Sequence, residues 1–179
     1  MMETNGKMVN NDLNDLIYKL KNEDERYAGI SKRLQIVYWV LVPIYLVFIT
    51  RDIIVKSSVT DIIGSFCFLF GMIAFALLFR HHYREYKYVD YAQPTLIMLK
   101  NAVRRYQPYS KQLWIVLLGL LLLDAGLSLH SIFDSDLLTI QLIYWGAMIG
   151  AVLIGLAIWQ VRYRPIRDEA LRLIREMEG

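Results

Sequence analysis

Four apolar runs decide most of what this chain can become. Residues 34–55, 62–79, 112–133 and 137–161 are nearly free of charge, the first being interrupted by Arg51 and Asp52 near its end. Each approaches the roughly 20 residues that a helix needs to cross a hydrocarbon layer. With 56% hydrophobic residues gathered into blocks, the 179-residue chain reads as an integral membrane protein and not as a soluble domain. The first run follows a long, mostly polar segment and no small-residue cleavage site comes after it, so removal of a signal peptide is not expected.

An internal repeat organises these runs. Residues 20–37, LKNEDERYAGISKRLQIV, align without gaps on residues 99–116, LKNAVRRYQPYSKQLWIV, with identities that include Leu20/Leu99, Arg26/Arg105, Tyr27/Tyr106, Ser31/Ser110 and Val37/Val116. Matches of this density at one fixed offset indicate a duplication. Each copy leads straight into an apolar run, so the unit is a membrane hairpin made twice.

Charge placement fixes the expected orientation. Of the 20 Lys and Arg residues, only Arg51 and Lys56 fall in the short loop after the first run, and none falls in Asp134–Ser135–Asp136. The rest lie before the first run, in residues 80–111, or after residue 161. Positive charge stays cytoplasmic, so both termini and the middle segment are expected on the cytoplasmic side of a cytoplasmic (inner) membrane. The expected fold is an all-α integral membrane protein of four transmembrane helices. They form two parallel-repeated hairpins in a pseudo-twofold four-helix bundle, with amphipathic cytoplasmic helices. Its parts are a cytoplasmic N-terminal helix (1–33), a first hairpin (34–80), a cytoplasmic helical linker (81–111), a second hairpin (112–161) and a cytoplasmic C-terminal helix (162–179).

The cytoplasmic helices can be placed coarsely. Asn10, Asn11 or Asp12 would cap a helix with Leu13, Leu16, Ile17 and Leu20 on one face. Pro94 suits the start of the linker helix, which carries Leu96, Ile97, Leu99 and Val103 and which Pro108 stops. Ile166, Ala170, Leu173, Ile174 and Met177 form a third stripe. These faces can pack on one another, on lipid or on a partner. Leu13, Ile17, Leu20, Arg104, Arg105, Ile166 and Leu173 are therefore the expected partner-facing or lipid-facing residues, since Lys and Arg near the surface attract anionic headgroups.

Asp124 most asks for an explanation. It lies eleven residues after Leu113, which at 1.5 Å per residue is about 16 Å into the membrane, where an unpaired carboxylate is costly. The repeat pairs it with Tyr45, and Ser128 lies one turn along its own helix. Asp124, Tyr45 and Ser128 are accordingly expected to form an intramembrane polar clasp, or else a proton or cation site with Asp124 at its centre. Gly146, Gly150 and Gly155 form a small-residue stripe suited to close helix packing, within the chain or across a homodimer.

Other tempting residues carry less. The single Cys67 allows neither an intrachain disulfide nor a cysteine metal cluster. His81 and His82 lie at the opposite end of the bundle from His130, so the three share no metal. Tyr83, Tyr86, Tyr88 and Tyr91 alternate with basic residues, but no nucleic-acid-binding motif surrounds them. No phosphate-binding glycine loop, Gly-x-Ser-x-Gly elbow or His-Glu-x-x-His occurs. The chain is thus expected to be non-enzymatic, with no cofactor, no metal and no nucleic acid. Its expected role is to bind or anchor a protein partner, cytoplasmic or membrane-embedded, through its helical cytoplasmic face, as an anti-sigma-like regulator or adaptor would. The alternative is a small oligomeric transporter or channel built on Asp124.

Overall fold

The computed structural model describes residues 2–107, 113–129 and 136–178, with side chains from residue 13 onward. The regular elements among these residues are all helical: α1 (Met2–Ile54), α2 (Val59–Lys87), α3 (Thr95–Arg105), α4 (Leu113–Leu129), α5 (Leu137–Ile158), a π-helical turn (Trp159–Tyr163) and α6 (Arg164–Glu178). Three continuous helical segments, Leu13–Ile54, Val59–Lys87 and Leu137–Glu178, are long and apolar enough to cross a membrane. At 17 residues α4 is apolar but shorter, and the remainder of the expected third span lies outside the described residues.

No break separates the polar and apolar parts of α1. In place of the expected cap at Asn10–Asp12 there is one helix of 53 residues, a rod about 80 Å long, which runs without interruption through residue 33. Asn and Asp cost less than about 1 kcal/mol each inside a helix, so a cap signal yields when the chain before it can continue. The rod ends in a Schellman turn, with the Ser57 amide bonded to the Asp52 carbonyl at 2.9 Å and the Lys56 amide to that of Ile53 at 3.2 Å. Lys56 occupies the left-handed position, φ 55°, where glycine is usual.

Ser58 then caps α2, accepting from the Asp61 amide at 3.2 Å and donating to its carboxylate at 2.6 Å. Ser65 donates to Asp52 at 2.9 Å, which ties the two helices of the first hairpin together near their turn.

Heptad spacing sets the packing of α1, α2 and α4. Tyr38 stacks on Phe75 with ring centroids 5.5 Å apart, and seven residues away on each helix Tyr45 meets Phe68, also at 5.5 Å. The same α2 rings also lie against glycines of α4. A Cβ on Gly119 would lie 2.8 Å from the Phe75 ring, and one on Gly126 would lie 2.7 Å from Phe68 and 3.0 Å from the Gly64 carbonyl oxygen. The layers Tyr38–Phe75–Gly119 and Tyr45–Phe68–Gly126 thus place α2 between α1 and α4. Missing side chains let backbones approach closely where lipid supplies no hydrophobic drive.

The contact between α4 and α5 is looser. α5 buries none of its residues, and it is joined to α4 by Gln141 donating to Ser128 at 2.8 Å and Tyr144 donating to the Leu120 carbonyl at 2.8 Å.

A cluster of buried hydrophobic residues draws together the polar parts of the chain. Leu16 and Leu20 of α1, Met98, Leu99 and Ala102 of α3, and Ile166, Ala170, Leu173 and Ile174 of α6 form one cluster, with Tyr106 completing it and Leu13, Ile17 and Val103 against its edge. Three segments distant in sequence therefore make a single head. The linker stripe is rotated from its expected setting: Met98 and Ala102 face inward, whereas Ile97 is half exposed. Pro94 immediately precedes α3 as expected, while Pro108 lies outside the described residues.

Candidate functional site

The helical repeat of α1 forces charge into this head. Leu16, Leu20, Asp24 and Ala28 lie four residues apart on one face, all buried, with Glu23 and Ser31 buried beside them. An acid on such a stripe must be matched by donors, since an unpaired buried charge costs several kcal/mol.

Asp24 is matched by three. Arg105 Nη2 donates to Oδ2 at 2.9 Å, the Tyr91 hydroxyl donates to the same oxygen, and the Tyr106 hydroxyl donates to Oδ1 at 2.6 Å. Both charged side chains are secluded, Asp24 at 2% and Arg105 at 10% exposure, and Arg105 Nε is buried without an acceptor among the described residues. Burial, followed by interaction with Asp24, holds the Tyr91 and Tyr106 hydroxyls above the usual phenol range, so both remain donors at neutral pH.

Next to it, Glu23 receives a fork from Arg162 of the π-helical turn, with Nε donating to both carboxylate oxygens at 2.9 and 2.8 Å and Nη2 donating to Oε1. The same turn supplies Trp159, whose indole donates to the Tyr106 carbonyl at 3.0 Å just past the end of α3. Consecutive acids on α1 therefore grip α3 and the α5–α6 junction. Around them four tyrosines close a ring: Tyr27–Tyr86, Tyr86–Tyr106, Tyr106–Tyr163 and Tyr163–Tyr27, with centroids 4.4, 6.4, 5.6 and 6.2 Å apart. The arrangement is a clasp. Its donors and acceptors are largely spent on one another, and among the described residues no group of three or more His, Cys, Asp or Glu side chains is placed to hold a metal ion.

The sequence-derived candidates divide. Arg105 belongs to the clasp, whereas Arg104 is exposed beside it. Leu13, Ile17, Leu20, Ile166 and Leu173, expected to face a partner or lipid, pack on one another instead, because three amphipathic helices at one end of the molecule satisfy each other's apolar faces. Asp124, Tyr45 and Ser128 are not joined as expected. Tyr45 packs on Phe68 of α2, which lies between it and α4, and Ser128 is taken by Gln141. Asp124 Oδ1 is buried and accepts no hydrogen bond among the described residues.

Gly146, Gly150 and Gly155 meet no other element: among the described residues, a Cβ on any of them would have no neighbour within 4 Å beyond its own helix backbone. The close approaches fall on Gly71, Gly119 and Gly126, whose signal was the seven-residue spacing within Gly64/Gly71 and Gly119/Gly126. His82 sets its ring edge against Tyr27, His81 lies 3.8 Å from Glu85, and His130 lies outside the described residues.

This geometry defines a class: an all-helical protein with candidate membrane-spanning helices and a clasped polar head. No family model matches the sequence, and no curated protein or solved structure matches it either.

Proposed function

We propose that this is a non-enzymatic inner-membrane protein whose head binds or anchors a protein partner on the cytoplasmic side. The observation that carries the reading is the head itself, in which three segments fold together at one end of the apolar helices while the opposite turn of the first hairpin is only residues 55–58. Because the apolar faces are consumed internally, the partner meets the charged outer surface, where Lys21, Arg26 and Arg175 are exposed. The four-span, duplicated architecture belongs to the same proposal. It is supported by the tyrosine ring, in which the repeat-related Tyr27 and Tyr106 each touch both Tyr86 and Tyr163.

Crosslinking in intact membranes tests this. The full chain is expected to yield a stoichiometric protein adduct that Lys21→Glu, Arg26→Glu and Arg175→Glu together abolish without lowering the amount of folded protein. Recovery of the chain alone under all growth conditions contradicts the proposal.

A second reading rests on one atom. The unpartnered Oδ1 of Asp124 favours a proton or cation site in a small oligomeric transporter or channel. In that case Asp124→Asn abolishes flux in proteoliposomes and leaves the head intact; unchanged flux, or none in the parent protein, removes the reading.

A further inference from the structure

The two places where apolar helices run into the head treat their cations differently. At the α5–α6 junction each arginine is engaged: Arg162 on Glu23, Arg164 on Asp168 at 3.6 Å, and Arg167 on Asp168 at 3.0 Å with its guanidinium 5.4 Å from the Trp159 ring. Where α1 enters and α2 leaves the apolar zone, Lys32, Arg80, Arg84 and Lys87 are exposed and make no ion pair among the described residues.

Helix geometry gathers these four. Arg80, Tyr83, Arg84 and Lys87 fall at i, i+3, i+4 and i+7, so they share one face of α2. From the neighbouring helix Lys32 sets its ammonium over the Tyr83 ring, 6.0 Å from the centroid, which joins α1 to the same stripe. Glu85, the one acid between Arg80 and Lys87, lies about 140° around the helix from Arg80 and sits 3.8 Å from His81 on that side.

Depth identifies what the stripe meets. Lys32 lies two residues before Leu34, where the first apolar run begins, and Arg80 follows Phe79, where the second ends. From Arg80 to Lys87 the helix rises about 10 Å, enough to cross a headgroup layer of about 5–8 Å.

We propose that Lys32, Arg80, Arg84 and Lys87 form a binding stripe for an anionic phospholipid, whose phosphate they hold at headgroup level. A zwitterionic lipid brings its own cation to its phosphate and gains less from four unpaired charges. The stripe is separate from Lys21, Arg26 and Arg175 and needs no protein partner; it rests on α1 and α2 crossing a bilayer.

The test uses the full chain in mild detergent, with native mass spectrometry following titration with phosphatidylglycerol or phosphatidylcholine. Phosphatidylglycerol is expected to be retained over phosphatidylcholine. Arg80→Gln with Arg84→Gln should weaken its retention about 25-fold, and Lys32→Gln alone about five-fold, each cation near the surface being worth about a factor of five. Lys32 lies on the other helix, so its variant decides the matter even where the double variant loses helicity by circular dichroism. Arg164→Gln with Arg167→Gln removes the same charge from the paired side and should leave retention unchanged. Equal retention of the two lipids, retention unaltered by Lys32→Gln and by the Arg80 and Arg84 changes, or an equal loss from the Arg164 and Arg167 changes overturns the proposal.

Discussion

Gly126 of α4 rests against the ring of Phe68 in α2 so closely that a methyl group at its α-carbon would lie 2.7 Å from the ring. The Gly64 carbonyl oxygen, 3.0 Å from the same point, leaves no room to turn away. Gly126→Ala is therefore expected to destabilise the fold by about 1–3 kcal/mol through overpacking. Gly146→Ala, in open surroundings, should be neutral within the chain. Dodecyl sulfate titration in mixed micelles measures both, and equal effects would contradict the packing described.

The turn of the first hairpin offers a gain. Lys56 holds a left-handed backbone, so Lys56→Gly relieves strain and is expected to stabilise by about 1 kcal/mol, read in the same titration. A loss would mean that Lys56 contributes a contact outweighing that strain.

The clasp should respond to alkali. Tyr91 and Tyr106 hold their protons more tightly when folded than the ordinary phenol value of about 10. Above that pH the unfolded chain releases protons that the folded chain keeps, so stability is fully present below about pH 10. It then falls by about 1.4 kcal/mol per pH unit for each tyrosine, until the folded value is reached. Tyr91→Phe removes one such group and should flatten the decline. An identical alkaline slope in the variant would exclude Tyr91 from the linkage.

Asp24 and Arg105 should behave as a unit. Asp24→Asn leaves a buried guanidinium poorly matched and is expected to cost about 3–5 kcal/mol, whereas adding Arg105→Gln should cost less than the sum of the two single changes. Strict additivity in the double-mutant cycle would show that the two do not interact.

How much of this the sequence discloses depends on the range of the interaction. The apolar runs and the stripes at Leu16/Leu20 and Ile166/Leu173 are local periodicities, and they correspond to α1, α2, α5 and α6 as folded. The glycine layers were also readable, because Gly64/Gly71 and Gly119/Gly126 share the heptad step of Phe68/Phe75. The pairing of Tyr45 with Asp124 followed from repeat offset alone, and offset does not say that α2 stands between them. Asp24 lay open to notice as an acid on an apolar stripe, but its partners, Arg105 and Tyr106, are some 80 residues away and only folding brings them together.

The central claim is that residues 13–31, α3 and α6 fold as one closed head through the Asp24 clasp. Hydrogen exchange on the full chain in nanodiscs tests it most directly. The account predicts that amides of these three segments are protected to a common level and that Asp24→Asn lowers all three together. Rapid exchange of α6 in the parent protein, or loss of protection in the variant confined to α1, would contradict it.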